Sequence, residues 1–208
     1  IKSRVMRGAA TPTALMVAPG IKGFVPELNK RLPYDPDGAK KLLAEAGYPN
    51  GFEVQLAAGI NLIQRPVSAS FDDQGRLFVT DSSGSNDKPS DQLKNPTARI
   101  LRLEDTDGDG RFDKSVVFAQ QVMFPQGCLW HDGWVYVAAP PSIWRFRDTN
   151  GDGVSDQREE WWKGDTLTGC ANDVHGPHLG PDGYIYWTKG AFAEQTHKLG
   201  NGRTLNDK

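Results

Sequence analysis

Two short stretches carry the densest chemistry in the chain. Asp105-Thr106-Asp107-Gly108-Asp109-Gly110-Arg111-Phe112-Asp113 returns, at an offset of 43 residues, as Asp148-Thr149-Asn150-Gly151-Asp152-Gly153-Val154-Ser155-Asp156. Positions 1, 3, 5 and 9 carry side-chain oxygens in both: Asp105, Asp107, Asp109 and Asp113, then Asp148, Asn150, Asp152 and Asp156. Oxygens on alternate residues converge on one point, the backbone carbonyls of Arg111 and Val154 at position 7 add another, and glycine at position 6 permits the sharp turn. Carboxylates this close repel one another unless a cation sits among them, and an all-oxygen donor set suits calcium. Glu159 occupies position 12 of the second loop, completing an EF-hand-type spacing, whereas the first has Val116 there. Plain Asp/Gly turns without metal are the competing reading, because these residues favour turns anyway. A nine-residue pattern met twice favours calcium. Its expected role is structural, since a site closed by carboxylates leaves no opening for substrate.

The flanks predict strands rather than the helices of an EF-hand. Arg99-Ile100-Leu101-Arg102-Leu103 and Ser142-Ile143-Trp144-Arg145-Phe146 precede the loops, and Ser115-Val116-Val117-Phe118 follows the first. Three further segments align with one another: Ser70–Thr80, Leu129–Ala138 and Leu179–Thr188. Each reads as a strand, a tight turn containing Asp and Gly, and a second strand with alternating apolar residues. Four short strands in a unit of ~40–50 residues is the pattern of a propeller blade. The expected fold is mainly β: a partial β-propeller of about three blades, preceded by a short α/β segment with one clear helix over about 36–46.

In that leading segment, residues 1 to 34 read as irregular, with a fraying helical end at Ile1–Arg7. Asp35 then serves as N-cap, Pro36 as first helical residue, and Ala39, Leu42, Leu43 and Ala46 form one face before Gly47 and Pro49 stop the helix. Gly51-Phe52-Glu53-Val54-Gln55-Leu56 alternates as a half-buried strand does. The chain thus divides into residues 1–56 and 57–208. Ser82–Lys94, rich in Ser, Asn, Asp and Lys, predicts a long solvated loop.

Composition bounds the rest. A net charge of −2 gives no basis for nucleic acid or a charged membrane surface as partner, and no apolar run approaches the ~20 residues that span a bilayer. The first residues lack an initiator Met and a signal-peptide core, which suggests a fragment or processed chain. Cys128 and Cys170 stand too far apart for a metal or haem motif, and no Cys-x-x-Cys-His is present. A disulfide between them and two free buried thiols both stay open. Most of the six tryptophans suit packing between blades, but neighbouring Trp161 and Trp162 should face opposite ways on a strand.

Two families are resembled. Arg7-Gly8-Ala9-Ala10-Thr11-Pro12, Tyr34-Asp35-Pro36, Ala39–Pro49 and Gly51-Phe52-Glu53-Val54 resemble family 5 extracellular solute-binding proteins, the peptide-, oligopeptide- and nickel-binding components of ABC importers. The likeness covers about residues 1–56, and no ligand-binding residue is carried over from it. Phe71–Thr80, Arg99–Asp105, Val137–Ile143 and Gly180-Pro181-Asp182-Gly183 resemble the membrane-bound dehydrogenase propellers, secreted bacterial proteins distantly similar to quinoprotein glucose/sorbosone dehydrogenases. That second likeness covers about residues 52–208. It implies a propeller that closes with about six blades, an extracytoplasmic location, and oxidation of a sugar or alcohol. It also implies a quinone such as pyrroloquinoline quinone (PQQ) and a cytochrome or haem domain as electron acceptor. In the quinoprotein relatives a His shortly before a Gly-Pro-Asp segment takes the proton of the sugar hydroxyl. His175 is the analogue here, with Asp173 to orient it, although its gap to Gly180 is short and the cations that grip the quinone are not identifiable. Polar turn residues with structurally bonded histidines are the competing reading. The two resemblances meet at Gly51–Ala58, so the chain reads as chimeric. The alternative function is solute capture for an importer.

Overall fold

The computed structural model describes residues 14–15, 19–31, 33–169, 172–190, 194–198 and 202–207. The chain separates into two compact units, Ile1–Gln55 and Leu56–Lys208. The expected helical end at Ile1–Arg7 lies outside the described residues.

Among the described residues of the first unit the one long helix is α1, Pro36–Glu45. Asp35 caps it by accepting a hydrogen bond from the Gly38 amide at 2.9 Å, and Pro36 fills the first helical position, where its missing N–H costs nothing. A 3-10 turn at Pro26–Leu28 interrupts the stretch expected to be irregular. The alternating run at Gly51–Leu56 forms no strand, contrary to expectation. Phe52, Val54 and Leu56 are 67%, 85% and 76% exposed. Alternation supplies an apolar face, but a strand also needs a neighbour for its backbone groups, and none pairs with this run.

The second unit is built from two four-stranded antiparallel sheets in simple meander order. The first comprises β1 (Pro66–Phe71), β2 (Leu77–Asp81), β3 (Ala98–Glu104) and β4 (Lys114–Val122). The second comprises β5 (Cys128–His131), β6 (Trp134–Ala139), β7 (Ser142–Arg147) and β8 (Gln157–Trp162). A hairpin of β9 (Val174–Leu179) and β10 (Ile185–Lys189) follows, then a second one, β11 (Gln195–Lys198) with β12 (Thr204–Asp207). Each first-to-second strand turn uses glycine at positive φ. Asp132 (φ 49°) and Gly133 (φ 75°) make the two-residue link between β5 and β6 that the right-handed twist of a hairpin prefers. The first sheet takes more chain than the second because β2 and β3 are joined by residues 82–97. Part of that segment, expected as open loop, is a short helix, α2 (Pro89–Lys94), whose first turn Pro89 starts.

The core lies between successive sheets. Phe78, Ile100, Phe118 and Val122 of the first pack on Val135, Val137 and Phe146 of the second, with Phe78 and Phe118 edge to face at 4.9 Å. Ala138, Ile143 and Val174 continue the stack to β9. The face of the first sheet turned away from the second buries Val79, Leu101 and Leu103 under Ala58, Leu62 and Ile63. Backbone and hydroxyl bonds fix that cover, from the Phe112 amide to the Ala57 carbonyl (2.7 Å) and from the Ser115 hydroxyl to the Leu62 carbonyl (3.2 Å). Trp161 and Trp162 do not face opposite ways: both rings meet Trp187, at 5.7 and 5.5 Å. The pairing of β7 with β8 slips between Ile143 and Trp144, so Trp161 sits in a bulge that turns it to its neighbour's side.

Candidate functional site

Both acidic loops occupy the same place, the connection between third and fourth strands of consecutive sheets: Asp105–Asp113 joins β3 to β4, and Asp148–Asp156 joins β7 to β8. Their internal bonds onto backbone amides and threonine hydroxyls correspond, and the second loop adds one from Asn150 Nδ2 to Asp152 Oδ2 at 3.2 Å. The carboxylate of Asp105 accepts the amides of Gly108 (2.7 Å) and Gly110 (2.9 Å), and that of Asp148 accepts those of Gly151 and Gly153 (both 2.7 Å). Asp107 accepts from the Asp109 amide and Asn150 from the Asp152 amide. At position 5, Asp109 and Asp152 each accept, at 2.8 Å, the amide two residues on, from Arg111 and Val154. Asp113 and Asp156 close the loops by accepting the amide and hydroxyl of Thr106 and Thr149. Those threonine hydroxyls hold both carboxyls below the ordinary carboxylate range. Glycines 108, 110, 151 and 153 all have positive φ, a conformation in which a Cβ is strained.

Ligand atoms of Asp105, Asp107 and Asp109 lie within 4.8 Å of one another. Each carboxylate oxygen that accepts one N–H retains a lone pair, so the donor chemistry fits a hard cation. Glu159 is placed elsewhere: it lies on β8 opposite Arg145, whose guanidinium donates to it at 2.8 and 2.6 Å. The second loop is also tied to the first sheet. Arg102 of β3, buried and paired with Glu104 at 2.6 Å, reaches Asp148 at 3.8 Å and leaves no room for a Cβ on Gly153. The Ser155 amide donates to the Phe118 carbonyl at 2.8 Å. The role of Arg102 was not visible in the sequence, where it stands between Leu101 and Leu103 on a strand that also carries Arg99 and Glu104.

Asp173 and His175 flank Val174 at the start of β9, on the same side of the chain. Asp173 is fully buried, takes the Thr168 amide on Oδ2 at 2.8 Å, and has no partner for Oδ1. Its backbone carbonyl accepts the Gly190 amide. His175 is half-buried opposite Thr188. The two side chains are not hydrogen-bonded to each other, and among the described residues no arginine or lysine hydrogen-bonds or ion-pairs with either. Cys128 is a free, buried thiol, pushed up to about 12 by that burial; Cys170 lies outside the described residues.

Stacked four-stranded antiparallel sheets with a repeated acidic loop define a mainly β protein in a partial β-propeller-like arrangement. Residues 39–208 match the family model described as a domain of unknown function, DUF7133, and the chain belongs to that family. Two curated relatives match over short stretches. One is Heme-binding protein A of Haemophilus influenzae, 51% identical over 52 residues, which is 25% of this chain and 9% of that protein. The other is Glutathione-binding protein GsiB of Shigella flexneri, 46% identical over 54 residues, 26% of this chain and 10% of that protein. The matched stretch thus spans about a tenth of the length of these relatives. Among solved structures, a Thermus thermophilus protein provisionally assigned as an oxidoreductase (glucose dehydrogenase) is 15% identical, with a TM-score of 0.36 over 59% of this chain and 38% of that one. A Lactobacillus plantarum protein is 12% identical, with a TM-score of 0.39 over 76% of this chain and 43% of that one. No helix among the described residues is long and apolar enough to cross a membrane.

Proposed function

We propose that residues 57–208 form a calcium-stabilised piece of a β-propeller, each acidic loop closing the outer hairpin of its sheet around one structural ion. The observation that supports this reading is the shared pattern of carboxylate–amide bonds in the two loops at equivalent strand connections. Calcium would bind Asp105, Asp107 and Asp109 with the Arg111 carbonyl, and Asp148, Asn150 and Asp152 with the Val154 carbonyl. Asp113 and Asp156 hold the loops shut through their threonines. Glu159 would join only by leaving Arg145. Exposed loops of this kind suit the calcium-rich extracytoplasmic compartment, where modules bind in the 10⁻⁴–10⁻³ M range, to order of magnitude. The test is thermal unfolding with and without calcium, and a stability unmoved by the ion in the whole chain would refute it.

A second reading concerns activity. The family resemblance points to oxidation of a sugar or alcohol, with electrons passed to a quinone and on to a cytochrome or haem domain. The observation that favours a working corner is the buried, half-partnered carboxylate of Asp173 two residues before His175. His175 would accept a hydroxyl proton, an imidazole being a base at neutral pH, and Asp173 would orient it once the corner closes. No step is drawn through the quinone. Dye-linked oxidation of sugars and alcohols by the whole chain supplied with PQQ and calcium tests this reading. Turnover that survives H175A would exclude His175 as the base.

The partial likeness to proteins named for binding haem and glutathione favours a third role for residues 1–56, as a piece of a solute-binding protein joined to the propeller near Gly51–Ala58. Peptide, glutathione and haem are the ligands to try. A thermal shift with one of them and none with calcium would reverse the order of these readings.

A further inference from the structure

The cleft between the first two sheets adjoins the second acidic loop, whose Asp148 and Gly151 line it, but none of these readings gives it a ligand. It lies at the end of the strands that carries the β1–β2 and β5–β6 turns and the β7–β8 loop, opposite the end where β9 begins at Val174. Its volume is about 370 Å³, and its lining includes Arg76, Arg102 and Arg147 together with the buried Phe78 and Phe118 and the half-buried Trp130. Two carboxylates, Asp73 and Asp148, also line it, so three guanidiniums outnumber two acids. Asp148 is already engaged by the amides of Gly151 and Gly153, and Arg102 by Glu104. Arg76 gives only its Nε to Asp72, at 2.6 Å, which leaves its terminal amino groups uncommitted. Arg147 has no carboxylate partner among the described residues, and its guanidinium lies 5.6 Å from the Trp134 ring centroid.

A half-buried indole beside uncommitted guanidiniums selects an amphiphilic anion. We infer that this cleft binds a small oxyanion carried on a flat apolar body, an aromatic carboxylate or phosphate. Arg76 and Arg147 take the oxyanion, Arg102 adds charge without donating, and the ring lies against Trp130, the half-buried aromatic of the lining. The guanidinium fork matches two oxygens of either group.

Tryptophan fluorescence of the whole chain, titrated with phenyl phosphate, benzoate and inorganic phosphate, tests the assignment. Buffer stripped of calcium on a chelating resin keeps the outcome independent of the acidic loops. Phenyl phosphate or benzoate is expected to bind saturably, the tighter of the two fixing which oxyanion is preferred, and inorganic phosphate more weakly than phenyl phosphate. R147Q should weaken binding about tenfold, the effect of losing a hydrogen bond to a charged group. R147K should lose less, since it retains the charge but not the fork. D73N should bind more tightly, a gain that misfolding does not produce. Absence of saturable binding by the parent, or equal affinities in parent, R147Q and D73N, would overturn the proposal. Inorganic phosphate binding as tightly as phenyl phosphate would overturn its apolar half.

Discussion

Asp152→Ala separates the calcium reading from a metal-free turn. Asp152 Oδ1 accepts the Val154 amide at 2.8 Å, and it is the position-5 ligand of the second loop. Without metal the substitution removes two exposed hydrogen bonds, from the Val154 amide and from Asn150 Nδ2 (3.2 Å), each worth about 0.5–1.5 kcal/mol. With metal the loss is larger and depends on concentration. An ion held at ten to a hundred times its dissociation constant stabilises the folded state by about 1.4–2.7 kcal/mol per site. In a chain of this size each kcal/mol moves the melting temperature by roughly 2–4 °C. The parent, with two loops, should therefore gain about 6–20 °C from saturating calcium, and Asp152→Ala about half of that. An Asp109→Ala/Asp152→Ala double variant should gain nothing. Tryptophan fluorescence is the right probe, because all six tryptophans fall in the Leu56–Lys208 unit. Magnesium, which demands a tighter octahedral shell, should stabilise far less. An equal calcium shift in parent and double variant would refute the assignment of these loops, and an absent shift in both would leave them as turns.

Gly127→Ala should destabilise the second unit by at least about 1–3 kcal/mol in a denaturant melt, the usual cost of overpacking. Its Cβ would fall 1.7 Å from the Gly176 carbonyl oxygen, where β5 approaches β9. In a Cys170→Ser background, Cys128 should resist a thiol reagent at pH 8 until the protein unfolds, because burial holds its thiol at about 12; labelling at the rate of a free thiol would contradict its place in the core. Asp113 and Asp156 have folded values below the ordinary 3.8, so their contribution is present above that pH and is lost as pH falls through the lower folded value. A Thr106→Val/Thr149→Val variant should therefore be less stable near neutrality, yet lose less than the parent between roughly pH 5 and pH 2, as read by circular dichroism.

The features legible in the sequence were those in which side chains act on their own backbone. The acidic loops, the Asp35 cap and the Asp132-Gly133 turn are set within a few residues, so residue type and spacing suffice to place them. What was not legible depended on partners distant in the chain. The alternation of Phe52, Val54 and Leu56 is as regular as that of β6, yet only β6 has strands on both sides to pair with. Trp161 and Trp162 share a side because of a slip against β7, which periodicity assumes away. Glu159 matched a calcium-loop position by number, but a cross-strand arginine holds it on β8. Arg102 joins the two sheets through a contact that no local pattern encodes.

The boundary near residue 56 admits a sharper argument. Contacts divide the chain between Gln55 and Leu56, whereas the family match begins at residue 39, inside α1. A match edge inside a helix does not mark a folding boundary, so residues 39–55 belong to the matched stretch while grouping with the first unit. On the other side of the division, Ala57–Ile63 is bonded into the first sheet's outer face and covers Val79, Leu101 and Leu103. A graft joined within Gly51–Ala58 therefore predicts that removing residues 1–55 leaves the melting temperature of the sheets unchanged. Removing residues 1–64 should lower it sharply by uncovering that face. Equal stability of the two truncations would show that the cover is dispensable. A large loss on removing 1–55 would show that the leading unit is an integral part of the fold, and the proposal of a chimeric joint would fail.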